Sequence, residues 1–303
     1  MSTIFRAVSF LAVLLYSSLS HAQMLSLTFD DGLNPDKQAQ AQIWNQQIIN
    51  ALKDSGITAM VFPSLARTGG DRGLNLIMDW SKAGHAVGNH TATHRSLASA
   101  EMTLDDFVAD VKMADAALRP FPTWVPMLRF PYLKEGDTLE MRDGFRSWMK
   151  SNGYRPAPVS IDASDWYYNQ IYSTLLSTGA NEKAAKVKTA YIEHLVDRAS
   201  YYDGLAKQVL GRSPMHVMLL HTSEINAATL PEIVSTFRKL GWTFVSPALA
   251  FGDSIYSAPP DTLPAGESVI WANAKTHGIA GLRYPAEDSV YEEPKLRAKS
   301  LLP

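Results

Sequence analysis

Two adjacent carboxylates, Asp30 and Asp31, follow an apolar run and precede a glycine in Thr28-Phe-Asp-Asp-Gly32. Two histidines four residues apart, His90 and His94, enclose Thr-Ala-Thr. That spacing sets two imidazoles on one side of a helical turn, and H-x-x-x-H is a common ligand pair for first-row divalent metals. No Glu follows His90, so the pattern is not that of a zincin. Solvent-facing histidines have the same spacing, and Asp-Asp-Gly after a strand is also an ordinary turn. Arg129 stands between Leu128 and Phe130-Pro131, an apolar setting in which a buried guanidinium requires a carboxylate partner. Asp162 and Asp165 lie in Asp-Ala-Ser-Asp-Trp166. His221 ends the run Val-Met-Leu-Leu-His, where a lone histidine is either a satisfied core residue or a group that moves protons. The chain has no cysteine, which excludes disulfides, thiolate metal sites and cysteine nucleophiles. A metal would have to take nitrogen and oxygen ligands.

These residues sit where strands are expected to stop. Residues 24–29 read as a buried strand ending at Asp30. The spacing of Ile43, Trp44, Ile48 and Leu52 predicts a helix over 37–55, closed by Gly56. A strand over 57–62, a short helix over 73–83 and a strand over 85–88 lead to His90. Thr103 caps a helix to about Leu118, with Asp105 and Asp106 in its first turn, where they favour the helix dipole. Residues 125–130 form the strand that carries Arg129. A helix over 138–151 and a short strand over 158–161 bring the chain to Asp162. A long helical stretch over 180–210 precedes the strand 216–221 that ends in His221. A helix over 231–240 and a strand over 242–245 complete the pattern. Strand and helix alternate throughout, which implies parallel strands with crossover helices. In such folds, sites gather at the carboxyl ends of the strands. Five of the expected strands deliver ionisable groups to one such rim.

The chain has 303 residues, with 28 Lys+Arg against 30 Asp+Glu, so it lacks the basic excess of a nucleic-acid binder. Hydrophobic residues make up 46%, which suits a globular core rather than a disordered chain. Arg6, the apolar run Ala7–Leu15 and the ending Ser20-His-Ala22 have the form of a secretory signal peptide over 1–22. The run is about half the ~20 residues needed to span a bilayer, so a stable membrane anchor is not expected. Residues 251–303, rich in Pro, Gly and Ser, read as a tail packed on the domain or partly disordered.

Taken in order, Thr28-Phe-Asp-Asp-Gly32, His90-Thr-Ala-Thr-His94, Arg129-Phe-Pro-Tyr132, Asp162-Ala-Ser-Asp-Trp166 and Leu219-Leu-His221 resemble the five motifs of the polysaccharide deacetylase family. This is carbohydrate esterase family 4, whose domain is called the NodB homology domain. The resemblance runs over about residues 24–250. It implies an α/β fold, a deformed (β/α) barrel of about seven parallel strands, with the domain over 23–250 and a helical insertion near 180–210. It also implies one divalent metal ion, zinc first, with cobalt or nickel as alternatives, held by Asp31, His90 and His94.

By the same resemblance Asp30 is the general base and His221 the general acid that protonates the leaving amine. Arg129 holds Asp30. Asp165 orients His221, with Asp162 as a second candidate. The backbone N–H of Tyr132 faces the oxyanion, and Trp166 and Leu219 wall the acetyl pocket. Two departures stand out. Leu33 replaces the family's usual Pro, and the stretch between Trp166 and Leu219 is longer than usual. The implied activity is a secreted, metal-dependent N-deacetylase acting on GlcNAc-containing glycans such as peptidoglycan or chitin, in the periplasm or outside the cell. An O-acetyl esterase on xylan or another acetylated polysaccharide is the alternative. An inactive carbohydrate-binding relative is disfavoured by the intact motifs. The partner implied is an acetylated poly- or oligosaccharide, with no nucleic acid and no protein partner.

Overall fold

Strand β1 (Met24–Asp31) is buried along its whole centre, from Leu25 to Asp30, as a strand covered on both faces must be. In chain order it is followed by β2 (Met60–Pro63), β3 (Ala86–Asn89), β4 (Trp124–Leu128), β5 (Lys134–Gly136), β6 (Arg155–Pro156), β7 (Met215–His221), β8 (Thr243–Phe244) and β9 (Ala265–Gly266). The computed structural model describes residues 23–283 and 288–303. The signal peptide expected over 1–22 lies outside the described residues.

One seven-stranded sheet runs β6-β4-β3-β2-β1-β7, with β8 on the start of β1. Every pairing in it is parallel. The sheet curls, and residues 155–161 reach across its two edges. The Ala157 N–H bonds to Leu128 O on β4, while Ile161 pairs with Met218 on β7. This is the deformed parallel barrel expected of the sequence. Helices Ala41–Asp54, Asp71–Lys82, Leu104–Leu118, Leu139–Ser151 and Glu224–Lys239 follow strands as crossovers. The Thr103 side chain accepts the Asp106 N–H at 3.1 Å and so caps its helix as anticipated.

Three elements differ from the sequence reading. The strand expected over 158–161 is reduced to β6 and the single bridge at Ile161. Pro156 and Pro158 interrupt the ladder there because neither has an N–H to donate. A helix not anticipated runs Asp165–Ser177, burying Tyr168, Ile171, Tyr172 and Leu175 at helical spacing. The helix expected from Pro231 instead starts at Glu224, with Ser223 as its cap. Pro231 lies inside it and gives up one helical hydrogen bond, which burial of Ile225, Leu230, Ile233 and Val234 offsets.

The long helix Asn181–Leu210 ends at Gly211 in the left-handed conformation. The described residues after 250 are built into the fold. Helix Val269–Thr276 buries Val269, Ile270 and Ala274, and β9 pairs antiparallel with β5. Gly266 has φ +115, and a Cβ there would lie 1.8 Å from Leu133 O, so the close β5–β9 approach requires glycine. Among the described residues no helix is long and apolar enough to cross a membrane.

Candidate active site

The register of the central strands brings the first and fifth motifs together. Asp30 pairs with His221 on one side of β1 and with Phe62 on the other. The chain leaves β1 sharply, with Asp31 at φ 78 and Gly32 at φ +90. A Cβ on Gly32 would stand 2.4 Å from Thr68, so the glycine is needed for space as well as conformation. This turn aims Asp30 inward and Asp31 over the strand ends. A cleft of about 600 Å³ opens there, lined by Asp30, Asp31, His90, His94, Trp166 and His221 among others. Tyr132, Leu219 and Asp162 also line it.

Asp30 is 2% exposed and is gripped by Arg129, which is fully buried. Arg129 Nη1 donates to both Asp30 oxygens at 2.9 and 3.1 Å, Nη2 donates to Thr28 Oγ1, and Nε donates to Ala157 O. Its guanidinium also lies over the Phe62 ring, 4.6 Å from the centroid. The sequence requirement for a carboxylate partner is thus met by Asp30, with three strands' worth of chain converging on one guanidinium.

Ligand atoms of Asp31, His90 and His94 all lie within 4.8 Å of one another. The His90 Nδ1–H donates to Arg129 O at 2.8 Å, since a carbonyl can only accept, and this leaves Nε2 with its lone pair toward Asp31. Burial is the main force on His90 and pulls its pKa down to about 4, against Asp30 and Asp31, so the ring is neutral at pH 7. Burial opposes the charge of Asp31, but the nearby His94 ring and the positive charge of His221 hold it well below the usual carboxylate range. Asp31 Oδ1 is buried and takes no well-aligned hydrogen bond, although His94 Nε2 is 3.1 Å away. One carboxylate, two imidazoles and an orphaned inward oxygen form a donor set that fits a divalent cation.

His221 is held from behind. Its Nδ1–H donates to Asp165 Oδ1 at 2.7 Å, and its backbone N–H donates to Asp165 Oδ2 at 2.6 Å. Asn226 Nδ2 also donates to Asp165 Oδ2 and to His221 O, both at 2.8 Å. Burial works against a charged His221, but the Asp165 carboxylate outweighs it, with Asp31 and Asp30 adding to the effect, and lifts its pKa to about 10. Of the two aspartates considered from sequence, it is Asp165 that the structure brings to the His221 ring. Asp162 lines the cleft and accepts Arg198 Nε through its backbone oxygen at 3.3 Å.

The long helix supports this segment. His194 Nε2 accepts the Ser164 N–H at 3.0 Å, next to Asp165. His194 in turn lies 3.2 Å from buried Glu292, which also accepts the Tyr168 hydroxyl at 2.6 Å. The helix predicted near 180–210 therefore backs the Asp162–Asp165 segment.

Among the described residues, six of the seven non-glycine residues with positive φ lie in or beside the site: Asp31, Thr91, His94, Tyr132, Leu133 and Glu267. Such conformations cost on the order of 1–3 kcal/mol each and persist only where surroundings enforce them. Here the enforcement is visible. Thr91 Oγ1 accepts the His94 N–H, Asn89 Oδ1 accepts the Thr91 N–H, and the Glu267 N–H bonds to Leu133 O.

Several contributors escaped the sequence reading. Arg67 lies in the short helix Leu65–Thr68 that follows β2. Its Nη2 is 3.3 Å from His94 Nδ1 and its Nε 3.7 Å from Asp31. Lys134 and Glu267 form an ion pair in the cleft wall. Glu267 comes from beyond residue 250, where nothing in the sequence pointed to the site.

Residues 19–157 match the family model described as polysaccharide deacetylase. A peptidoglycan-N-acetylglucosamine deacetylase of Bacillus cereus is 27% identical over 143 residues, covering 47% of this chain and 46% of the relative. The chain thus spans about half the length of that curated relative. Among solved structures, a polysaccharide deacetylase of Bacillus cereus superposes with a TM-score of 0.53 at 20% identity, over 74% of this chain and 91% of that one. A family 4 carbohydrate esterase of Streptomyces lividans, in complex with acetate, gives 0.50 at 20% identity, over 75% and 95%. These structural likenesses carry the fold.

Proposed function

The chain belongs to the polysaccharide deacetylase family, carbohydrate esterase family 4, and on that footing we propose that it is a secreted, metal-dependent hydrolase that removes N-acetyl groups from GlcNAc-containing glycans. The observation that carries the reading is the meeting, in one cleft, of an Asp-His-His donor set with Asp30 and His221. Asp31, His90 and His94 would hold the divalent cation, zinc being the first choice for two imidazoles and a carboxylate. When bound, such an ion supplies Lewis-acid polarisation and lowers the pKa of a coordinated water.

The chain's own groups supply the proton transfers. Asp30, pinned by Arg129, takes a proton from the attacking water as that water adds to the acetamide carbonyl. Both Asp30 oxygens are engaged by one guanidinium, which fixes the direction of the carboxylate. His221 gives its proton to the departing amine from Nε2, because Nδ1–H is committed to Asp165. An amine leaves poorly unless protonated, so an acid with a raised pKa is well matched to the step. The N–H of Tyr132 faces the developing oxyanion. Such a donor contributes about 3 kcal/mol. Trp166 and Leu219 border the acetyl group.

The direct test is acetate release from N-acetylglucosamine oligomers, peptidoglycan and acetylated xylan, with zinc, cobalt and nickel each supplied. Release from the first two is expected. No release from any would overturn the reading, and release from xylan alone would move the bond from amide to ester. His90→Ala is expected to lose the bound metal altogether, read as metal per chain after dialysis. One metal per chain retained in that variant would remove His90 from the ligand set.

A further inference from the structure

We propose that Glu292, contributed by the C-terminal segment, is a positioning residue for the His221 proton donor, acting through His194 and the Ser164–Asp165 backbone. The role rests on the deacetylase reading above. Glu292 is fully buried and does not line the catalytic cleft. The Tyr168 hydroxyl donates to its Oε2 at 2.6 Å, and His194 Nδ1 lies 3.2 Å from the same oxygen. Lys295 Nζ donates to Oε1 at 3.0 Å. The Tyr168 ring also stacks on His194, with centroids 4.9 Å apart.

The chemistry of His194 links this cluster to the site. A backbone N–H can only donate, so the Ser164 N–H, 3.0 Å from His194 Nε2, requires that nitrogen to be unprotonated. Burial outweighs the Glu292 charge and holds the His194 pKa below its ordinary value, so the ring carries one proton. That proton must sit on Nδ1, where the Glu292 carboxylate favours it. On Nε2 it would oppose the Ser164 N–H and leave a buried donor without its acceptor. The Ser164 carbonyl accepts the Tyr167 and Tyr168 N–H groups at 3.0 and 3.3 Å as the next helix begins. Ser164 is therefore held at both its N–H and its C=O, which fixes where Asp165 leaves the backbone. Asp165 in turn receives the His221 N–H, the His221 Nδ1–H and the Asn226 amide. Asn226 is itself held by the Tyr191 hydroxyl of the long helix at 2.6 Å. The long helix thus reaches Asp165 by two routes, and the one through His194 depends on Glu292.

The experiment compares Glu292→Met, which keeps the volume and removes the carboxylate, with Glu292→Gln. In the latter the amide oxygen takes over at His194, while half-exposed Lys295 turns to water. Each metal-loaded variant is assayed on an N-acetylglucosamine oligomer, whose amine must be protonated to leave, and on nitrophenyl acetate, whose phenolate leaves unaided. Glu292→Met is expected to lower kcat for the oligomer by about 10- to 100-fold, as a displaced catalytic group does, with KM, metal content and ester hydrolysis unchanged. Glu292→Gln is expected to retain the native rate. An equal loss on both substrates would mean general loosening of the core and overturn the proposal, as would a full amide rate in Glu292→Met. Where Glu292→Met does not fold, His194→Gln and His194→Leu decide the same point. The Gln oxygen reaches the Nε2 position and should keep the amide rate, whereas Leu should lose it, and equal rates overturn the proposal. Imidazole NMR on isotope-labelled protein reads the brace without turnover. His194 is expected to be protonated at Nδ1, and the His221 Nδ1–H signal is expected to shift or broaden in Glu292→Met but not in Glu292→Gln. An unmoved His221 signal overturns the proposal. A signal that depends on Glu292, in a protein that releases no acetate, upholds the brace and removes the deacetylase reading.

Discussion

Asp30→Asn is expected to lower kcat by about 100- to 10,000-fold, the range that a positioned proton acceptor contributes, while the protein still takes up one metal per chain. The substitution keeps the shape of the side chain and one acceptor oxygen for Arg129 Nη1, but removes the negative charge. Asp31, His90 and His94, which would hold the metal, are untouched. Breaking one partner of a fully buried ion pair costs about 3–5 kcal/mol, so the variant should also melt earlier. Activity is therefore to be read well below its melting temperature. Two measurements decide the outcome: acetate release under saturating substrate, and metal content after dialysis. Full activity would move the base elsewhere, and loss of metal would mean that Asp30 is itself a ligand.

Asp165→Asn should act through His221 and through pH. In the native protein the raised pKa keeps the His221 proton in place until pH passes about 10. The stabilisation from this pair is fully present below the unfolded histidine value of about 6.5 and is lost as pH rises through the folded value. Removing the Asp165 charge leaves burial, which disfavours the cation, as the dominant influence. Near pH 8 the imidazole would then be neutral with no proton to give. A fall in kcat of about 100- to 10,000-fold is expected there, with partial recovery toward pH 6. The alkaline limb of the pH profile should move toward acid. An unshifted limb would detach His221 from proton donation. An ester substrate, whose leaving group needs less help, should lose less than an amide does.

Much of this site was legible because polar residues at strand ends are conspicuous against apolar runs. Asp30, His90, Arg129 and His221 each follow such a run, and the structure gathers them at the strand ends. The curled parallel sheet followed from the alternation of apolar strands with amphipathic helices. The helix Asp165–Ser177 was missed because Trp166-Tyr-Tyr168 reads as an aromatic cluster rather than a helical stripe. Its buried positions, Tyr168, Ile171, Tyr172 and Leu175, do have the helical period. Pro231 misled in the opposite direction, since a proline at a helix start and one inside a helix look alike in isolation. Lys134, Glu267 and Glu292 could not be read at all. Their placement depends on long-range docking of residues beyond 250, and no local pattern carries that information.

The pairing of Asp30 with His221 across β1 and β7 joins two residues that most of the chain separates. Closing so long a loop gives no reward until the intervening strands are in place. A nascent chain that stops before Met215 holds four of the five motifs yet lacks the strand that completes the pair. One that stops before Ala265 also lacks the strand that pairs with Lys134–Gly136. The two groups assigned to proton transfer thus come together only with the finished topology. Acetate release, unlike metal uptake or helix content, therefore reports the fully folded molecule, and proteolytic or truncated fragments are expected to be inert even when they retain their ligands.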